Sequence, residues 1–188
     1  MLIHQNDNMK KREFILSVAA AAISLVSPRL FAQQAQSVPT TKETKEAQKF
    51  ALQGIDVNGK KLALSDFSGK TVLVSFFTAG CSLCSRDLKL MREFYVGNAK
   101  RNFVLLAINI DQDKKDFDAY NKLIALAIPQ EQRLPTVWRN APDHKDNFGA
   151  ITREPTHFVI NKKSQLVFKR EGSFLPGDWD TLWESLDG

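Results

Sequence analysis

Two uninterrupted apolar runs dominate the pattern of hydrophobic and polar positions along the chain. Residues 71–77 and 103–110 consist almost entirely of β-branched, aliphatic and aromatic residues. Runs of this length between turn residues are typical of strands that are buried on both faces. The pattern therefore predicts two central strands, with the segment between them available for a helix.

Apolar positions recur close to the helical period in the segments that follow each run. This spacing predicts helices over 82–96 and 113–128, which end at Gly97 and before Pro129. Asn58-Gly59 between apolar stretches predicts a hairpin, because both central residues of such a turn must accept positive φ. The remaining predicted elements are a strand at 134–138, a short helix at 143–148, strands at 156–160 and 166–170, and a closing helix at 176–186.

This order of elements indicates an α/β fold with a mixed central sheet flanked by helices. The chain has 188 residues, of which 43% are hydrophobic and 25% charged, as in an ordinary globular protein. That length suits about one domain. Only 2 residues are cysteine, so the core must come from apolar packing and not from disulfide cross-links.

The first 32 residues have the layout of a secretory signal peptide. A cationic stretch at 9–12 precedes a 13-residue apolar run at 14–26, and the small residue Ala32 precedes a polar segment. We expect cleavage after Ala32 and a periplasmic location. The alternative is an uncleaved membrane anchor, although a span needs about 20 apolar residues.

Residues 33–49 are polar and predict a flexible linker, which leaves 50–188 as the folded domain. Removing residues 1–32 takes away four cationic and two acidic residues, so the net charge falls from +5 to +3. No basic stripe with interleaved aromatic residues is present. We therefore expect no nucleic-acid partner.

Cys81-Ser82-Leu83-Cys84 contains both cysteines and lies where the first buried strand gives way to a helix. Residues three apart on a helix share a face, so the two sulfur atoms can meet. The positive end of the helix lowers the pKa of Cys81 and favours its thiolate. Cys81 is thus the candidate nucleophile and Cys84 the resolving thiol.

Two other interpretations of the cysteine pair remain open. A structural disulfide would close a very short loop and would constrain little chain entropy. A zinc site would need further ligands, and after residues 1–32 only His144 and His157 remain, at a spacing unlike that of the usual histidine pairs.

Residues 64–84 resemble the exported thioredoxin-like proteins of the TlpA/ResA type, which run L-x-x-F-x-G-K, a buried strand and Cys-x-x-Cys. Residues 154–161 resemble their cis-proline strand, Pro-Thr-x-Phe-Leu-Ile-Asp. The resemblance covers about 50–187. It implies a thioredoxin-like fold with an N-terminal β-hairpin extension and a thiol-disulfide oxidoreductase that needs no cofactor and no metal.

The resemblance also implies substrate-binding residues. Pro155 carries over as the cis-proline beside the dithiol, with Glu154 and Thr156 on either side of it; a rival proline is Pro135. Glu154 departs from the family pattern, and its carboxylate either raises the thiol pKa by repulsion or exchanges a proton with the dithiol. His157 is expected to be an ordinary surface or strand histidine.

Two further departures concern the surroundings of the dithiol. Gly80 replaces the usual tryptophan before the first cysteine, so substrate stacking there is lost. Ser75 stands where thioredoxins bury an acidic residue, which puts a proton relay through a carboxylate at that point in doubt.

The function expected is that of an exported disulfide reductase. Its partners would be disulfides or thiols of envelope proteins and an unidentified membrane electron donor, and the protein would be a monomer. One alternative is a peroxiredoxin-like thiol peroxidase that uses Cys81. Another is a Cu(I)-binding assembly protein that uses the two cysteines with His144 or His157.

Overall fold

Strands and helices alternate along residues 49–98 and 100–187, the part of the chain that the computed structural model describes. In chain order the elements are β1 (Leu52–Ile55), β2 (Lys61–Ala63), β3 (Thr71–Phe77), α1 (Ser82–Gly97), β4 (Phe103–Asn109), α2 (Lys114–Ala127), β5 (Thr136–Trp138), β6 (Lys145–Asp146), β7 (Thr156–Ile160), β8 (Leu166–Glu171) and α3 (Pro176–Asp187). Short 3₁₀ turns follow β2 and α2. The mixed α/β fold predicted from the sequence is confirmed.

The central sheet has the strand order β5-β4-β3-β7-β8. β3 pairs in parallel with β4 and antiparallel with β7, and every residue of these three strands is buried. The register sets Phe77 beside Asn109 and Phe76 beside Thr156. The end of β3, the end of β4 and the start of β7 therefore meet at one edge of the sheet.

Apolar cores lie on both faces of this sheet, which explains why its inner strands have no polar alternation. On one face, aromatic residues including Phe76, Phe148 and Phe158 pack together with the hairpin strands. On the other face, α1 and α3 contribute Leu88, Met91 and Leu182 to the second core. Cys84 belongs to this second core, so α1 is held firmly where the dithiol lies.

The predicted hairpin is present as β1 and β2, and its turn differs from the expected one. Of the two residues Asn58 and Gly59, only Gly59 has a positive φ, of 77°. The Asp56 carboxylate accepts hydrogen bonds from the N–H groups of Asn58 and Lys60, both at 2.9 Å. This side chain organises a wider loop, so the two-residue turn is not formed.

The helix predicted at 143–148 was wrong, because this segment forms the two-residue strand β6. Lys145 and Asp146 pair with β1 and complete a three-stranded sheet. The Asp146 carboxylate accepts bonds from Arg139 at 2.7 Å and from the N–H of Phe148 at 3.0 Å, and it contacts His144 at 2.8 Å. The pairing with β1 and the bonds to the Asp146 carboxylate outweigh the local helical pattern.

The signal peptide predicted at 1–32 lies outside the described residues, as does nearly all of the linker predicted at 33–49. In the part that is described, no helix has the length and apolar character that a membrane span needs.

Candidate active site

The two cysteines lie at the start of α1 and are joined by a disulfide, with their Cα atoms 5.2 Å apart. Cys81 is the N-cap residue of the helix, and its Sγ accepts a hydrogen bond from the N–H of Cys84 at 3.0 Å. The helix begins here because Cys81 keeps an extended backbone while Ser82 begins the helical turns.

The two sulfur atoms have different environments. Cys81 is half-buried, whereas Cys84 is fully buried in the core between the sheet and the helices. The unpaired N–H groups of the first helical turn favour negative charge at the helix start. Cys81 is therefore the sulfur that a visiting molecule reaches, and Cys84 lies behind it.

The loop that carries Cys81 is held by the neighbouring strand β4. The N–H of Ala79 donates to the Asp111 carboxylate at 2.9 Å, and that carboxylate also accepts a bond from the Asn109 side chain at 2.6 Å. Sequence reasoning missed Asp111. The signal was its place just beyond the end of a buried strand parallel to β3, at the edge where the carboxyl ends of both strands meet.

On its other side the same loop contacts the start of β7. The Glu154–Pro155 peptide bond is the cis bond that the structure describes, as predicted, and the rival Pro135 is not in a cis bond. The hydroxyl of Thr78 donates to the Glu154 carboxylate. A carboxylate oxygen of Glu154 lies within 4.8 Å of the sulfur atoms of both cysteines.

Thr156, the other predicted substrate-binding residue beside Pro155, is buried. Thr156 is 1% exposed, and its hydroxyl donates to the carbonyl of Arg153 at 2.5 Å. This bond closes the turn that leads into the cis-proline. Its backbone lies between β3 and β8, so a role for Thr156 in substrate binding stays a prediction.

His157 is a strand residue, but it is fully buried instead of lying at the surface. Its Nε2 atom lies 3.4 Å from the carboxylate of Asp87, which is also buried, on α1. That distance is long for an N–H···O bond, so the contact is chiefly electrostatic. Asp87 also accepts a bond from the N–H of Phe174 at 2.9 Å.

This pair lies one layer below the dithiol. Asp87 follows Cys84 by one helical turn, and His157 follows Pro155 by two residues on the same face of β7. Ser75, where thioredoxins have a buried acid, is directly opposite His157 on β3, and its hydroxyl has no hydrogen-bond partner in the described part of the chain. A buried carboxylate is thus present near Ser75, but it belongs to Asp87 of α1 and not to β3.

Burial and pairing shift the pKa values of both His157 and Asp87. Burial lowers the pKa of His157 below its usual 6.5, although the Asp87 carboxylate opposes the shift. Burial alone would raise the pKa of Asp87, but contact with His157 and the bond from Phe174 outweigh it and hold that pKa below 3.8. The structure therefore favours a neutral histidine beside a charged aspartate.

We expect the protein to lose stability as the pH falls below about 6.5. The unfolded chain binds a proton at His157 before the folded protein does, so protonation favours unfolding; the depressed pKa of Asp87 adds a further loss at lower pH. Urea unfolding at pH 7.5 and pH 5.5 measures the free energy of unfolding at each pH. The His157→Leu variant should show a smaller difference between the two free energies. Equal stability of the unmodified protein at both pH values would contradict the argument.

The described residues bring three possible metal ligands together, namely Cys81, Cys84 and Glu154. Neither histidine of the copper alternative joins this group. His144 lies against Asp146, and His157 lies against Asp87. The ligand set proposed for Cu(I) binding is therefore not assembled in this structure.

A model of the AhpC/TSA family matches residues 44–169. The chain belongs to the AhpC/TSA family. Curated relatives of this AhpC/TSA protein include the thiol-disulfide oxidoreductase ResA of Geobacillus kaustophilus, 26% identical over 136 residues, which are 70% of this chain and 71% of that one. ResA of Bacillus thuringiensis subsp. konkukian is 27% identical over 128 residues, 68% of this chain and 69% of that one.

Solved structures agree with the fold of this AhpC/TSA protein. A thiol:disulfide interchange protein of the thioredoxin family from Chlorobium tepidum TLS has a TM-score of 0.57 at 23% identity, covering 72% of this chain and 93% of that one. The exposed lipoprotein thioredoxin of Streptococcus pneumoniae has a TM-score of 0.54 at 25% identity, covering 71% and 98%.

These findings confirm the resemblance noted from the sequence. The protein is an AhpC/TSA-family thiol-disulfide oxidoreductase with a thioredoxin-like fold and a Cys-x-x-Cys pair at the start of α1. The curated relatives carry the oxidoreductase name, which favours this activity over the peroxidase and copper-binding alternatives.

Proposed function

We propose that the protein reduces disulfides of exported proteins, with Cys81 as nucleophile and Cys84 as resolving thiol. The observation that carries this proposal is the unequal burial of the two cysteines at the start of a helix, close to the residue that precedes cis-Pro155. A substrate reaches Cys81 first, and Cys84 is the residue that is bonded to Cys81 in the oxidised form.

The reaction transfers two electrons from the protein to the substrate. The Cys81 thiolate attacks one sulfur of the substrate disulfide, forms a mixed disulfide and releases the other substrate sulfur as a thiolate. The Cys84 thiolate then attacks Cys81, releases the second substrate thiol and closes the Cys81–Cys84 disulfide. A separate dithiol donor restores the reduced protein, and we assign this role to a membrane protein.

The backbone just before β7 is where we place the substrate segment. We assign substrate binding to Glu154, Pro155 and Thr156, with the backbone of Glu154 pairing with an extended substrate segment like an added strand. The carbonyl of Pro155 accepts a bond from the N–H of Gly172 at 2.7 Å, and Thr156 pairs with β3 and β8, so these two residues support that segment from within the sheet.

Glu154 favours the reducing direction. Its carboxylate lies within 4.8 Å of both sulfur atoms, so it repels a thiolate that forms at either of them. The repulsion acts only on the reduced form, because the disulfide carries no charge. It therefore favours the oxidised protein and makes the dithiol a better electron donor.

Residues 1–32 support export as a signal peptide, followed by a linker at 33–49 and the catalytic domain at 50–188. A solved structure of similar fold is described as an exposed lipoprotein thioredoxin, which supports export. We propose a periplasmic location, a monomer, and envelope proteins as substrates.

The test is turnover of insulin disulfides with a small dithiol as electron donor. We expect the unmodified protein to accelerate insulin reduction and Cys81→Ser to lose all acceleration, because no sulfur remains that the substrate can reach. Glu93→Gln, on the exposed side of α1, serves as the control and should keep full activity. Full activity of Cys81→Ser would refute the proposal, and rapid peroxide consumption would replace it with a peroxidase.

A further inference from the structure

Glu154 is an acidic side chain at the point where a substrate segment would bind. The Glu154 carboxylate lies within 4.8 Å of both sulfur atoms, and the hydroxyl of Thr78 holds it there. The residue is partly exposed, so a molecule that binds at Cys81 can come close to its charge.

Two cationic residues of the surrounding elements have other partners. Arg153, the preceding residue, lies near Gly172 and acts on the charge of Glu171. Arg86 of α1 donates to the hydroxyl of Ser173 at 2.9 Å. Within residues 49–98 and 100–187, no lysine or arginine forms an ion pair with Glu154. Its charge is therefore left for a molecule that binds at the dithiol.

The approach to the dithiol is open on the side of Gly80. This residue is exposed, and a Cβ atom built on it would have no heavy atom within 4 Å outside its two chain neighbours. No other part of the protein therefore blocks a substrate segment at this residue. Long cationic side chains need such room, because they place their charge several bonds away from the backbone.

We propose that Glu154 selects substrates that carry a lysine or arginine next to the disulfide-bonded cysteine. This inference rests on the proposed function, because it assumes that Cys81 attacks a substrate disulfide beside Pro155. When the substrate cysteine lies against Cys81, the neighbouring substrate side chain lies within reach of Glu154. A cation there pairs with the carboxylate and removes its repulsion of the attacking thiolate.

The experiment uses three peptide disulfides that differ only in the residue beside the cysteine, which is lysine, glutamine or glutamate. The reduced protein and its Glu154→Gln, Glu154→Lys and Glu93→Gln variants are compared by kcat/KM at low and high salt. The ratio between peptides is the readout, because any change in the intrinsic reactivity of Cys81 affects all three peptides alike.

We expect the unmodified protein and Glu93→Gln to prefer the lysine peptide over the glutamate peptide by about tenfold at low salt. High salt should reduce this ratio. Glu154→Gln should bring the ratio close to one, and Glu154→Lys should reverse it.

Equal rates on the three peptides with the unmodified protein, or an undiminished ratio in Glu154→Gln, would overturn the proposal and leave the reductase function intact. Absence of turnover on every peptide would reject the reductase function, and the selectivity with it.

Discussion

Replacing Cys84 by serine is expected to trap substrates on Cys81. The variant keeps the half-buried sulfur that attacks a disulfide but lacks the buried one that would release the product. The reaction then stops at the mixed disulfide. Incubation with an envelope protein extract should yield complexes that separate under reducing conditions, and turnover of insulin should fall by more than about a hundredfold.

The paired variant Cys81→Ser provides the control for this experiment. It retains only the buried sulfur of Cys84, which a large substrate cannot reach, so it should form no such complexes. Complexes that form equally well with either single variant would contradict the assignment of Cys81 as nucleophile, and complexes that form only with Cys81→Ser would reverse it.

Replacing Asp87 by leucine should destabilise the protein by about 2 kcal/mol, because a buried donor loses its acceptor. The substitution removes the carboxylate that accepts the N–H of Phe174 and lies against the neutral His157, and both polar groups then stay buried without it. For a domain of this size that loss lowers the melting temperature by about 6 °C. Thermal unfolding of the oxidised protein, followed by circular dichroism, measures the shift.

A double variant separates a buried polar pair from simple packing. Asp87→Leu with His157→Leu removes both partners, so much of the lost stability should return. Recovery should be incomplete, because the N–H of Phe174 still lacks an acceptor. A double variant whose loss equals the sum of the two single losses would show that the two side chains do not interact.

The central part of the fold and the reactive cysteines could be predicted from the sequence because their signals are local. The run at 71–77 became a buried strand with the predicted bounds, and 82–97 became the helix that begins at the dithiol. Pro155 was identified from the motif around it, and the cis bond confirms that choice over Pro135.

Residues whose roles depend on distant partners could not be predicted in this way. The segment 143–148 has a helical pattern, but Asp146 binds Arg139 and pairs with β1. His157 was expected to be ordinary, and its burial follows from the packing of Phe174 and Asp87 around it. The pairing with β1 and the contacts between His157, Asp87 and Phe174 join elements far apart in the chain, and no local spacing records them.

The double attachment of the reactive loop has a consequence for how partners recognise the protein. Thr78 and Ala79 are tied to the two strands that flank β3, through Glu154 and Asp111. The backbone before Cys81 is therefore fixed independently of the sulfur bond. We therefore expect residues 78–79 to keep the same backbone in the oxidised and the reduced protein, so that a partner that distinguishes the two forms would recognise the cysteines themselves and not this part of the loop.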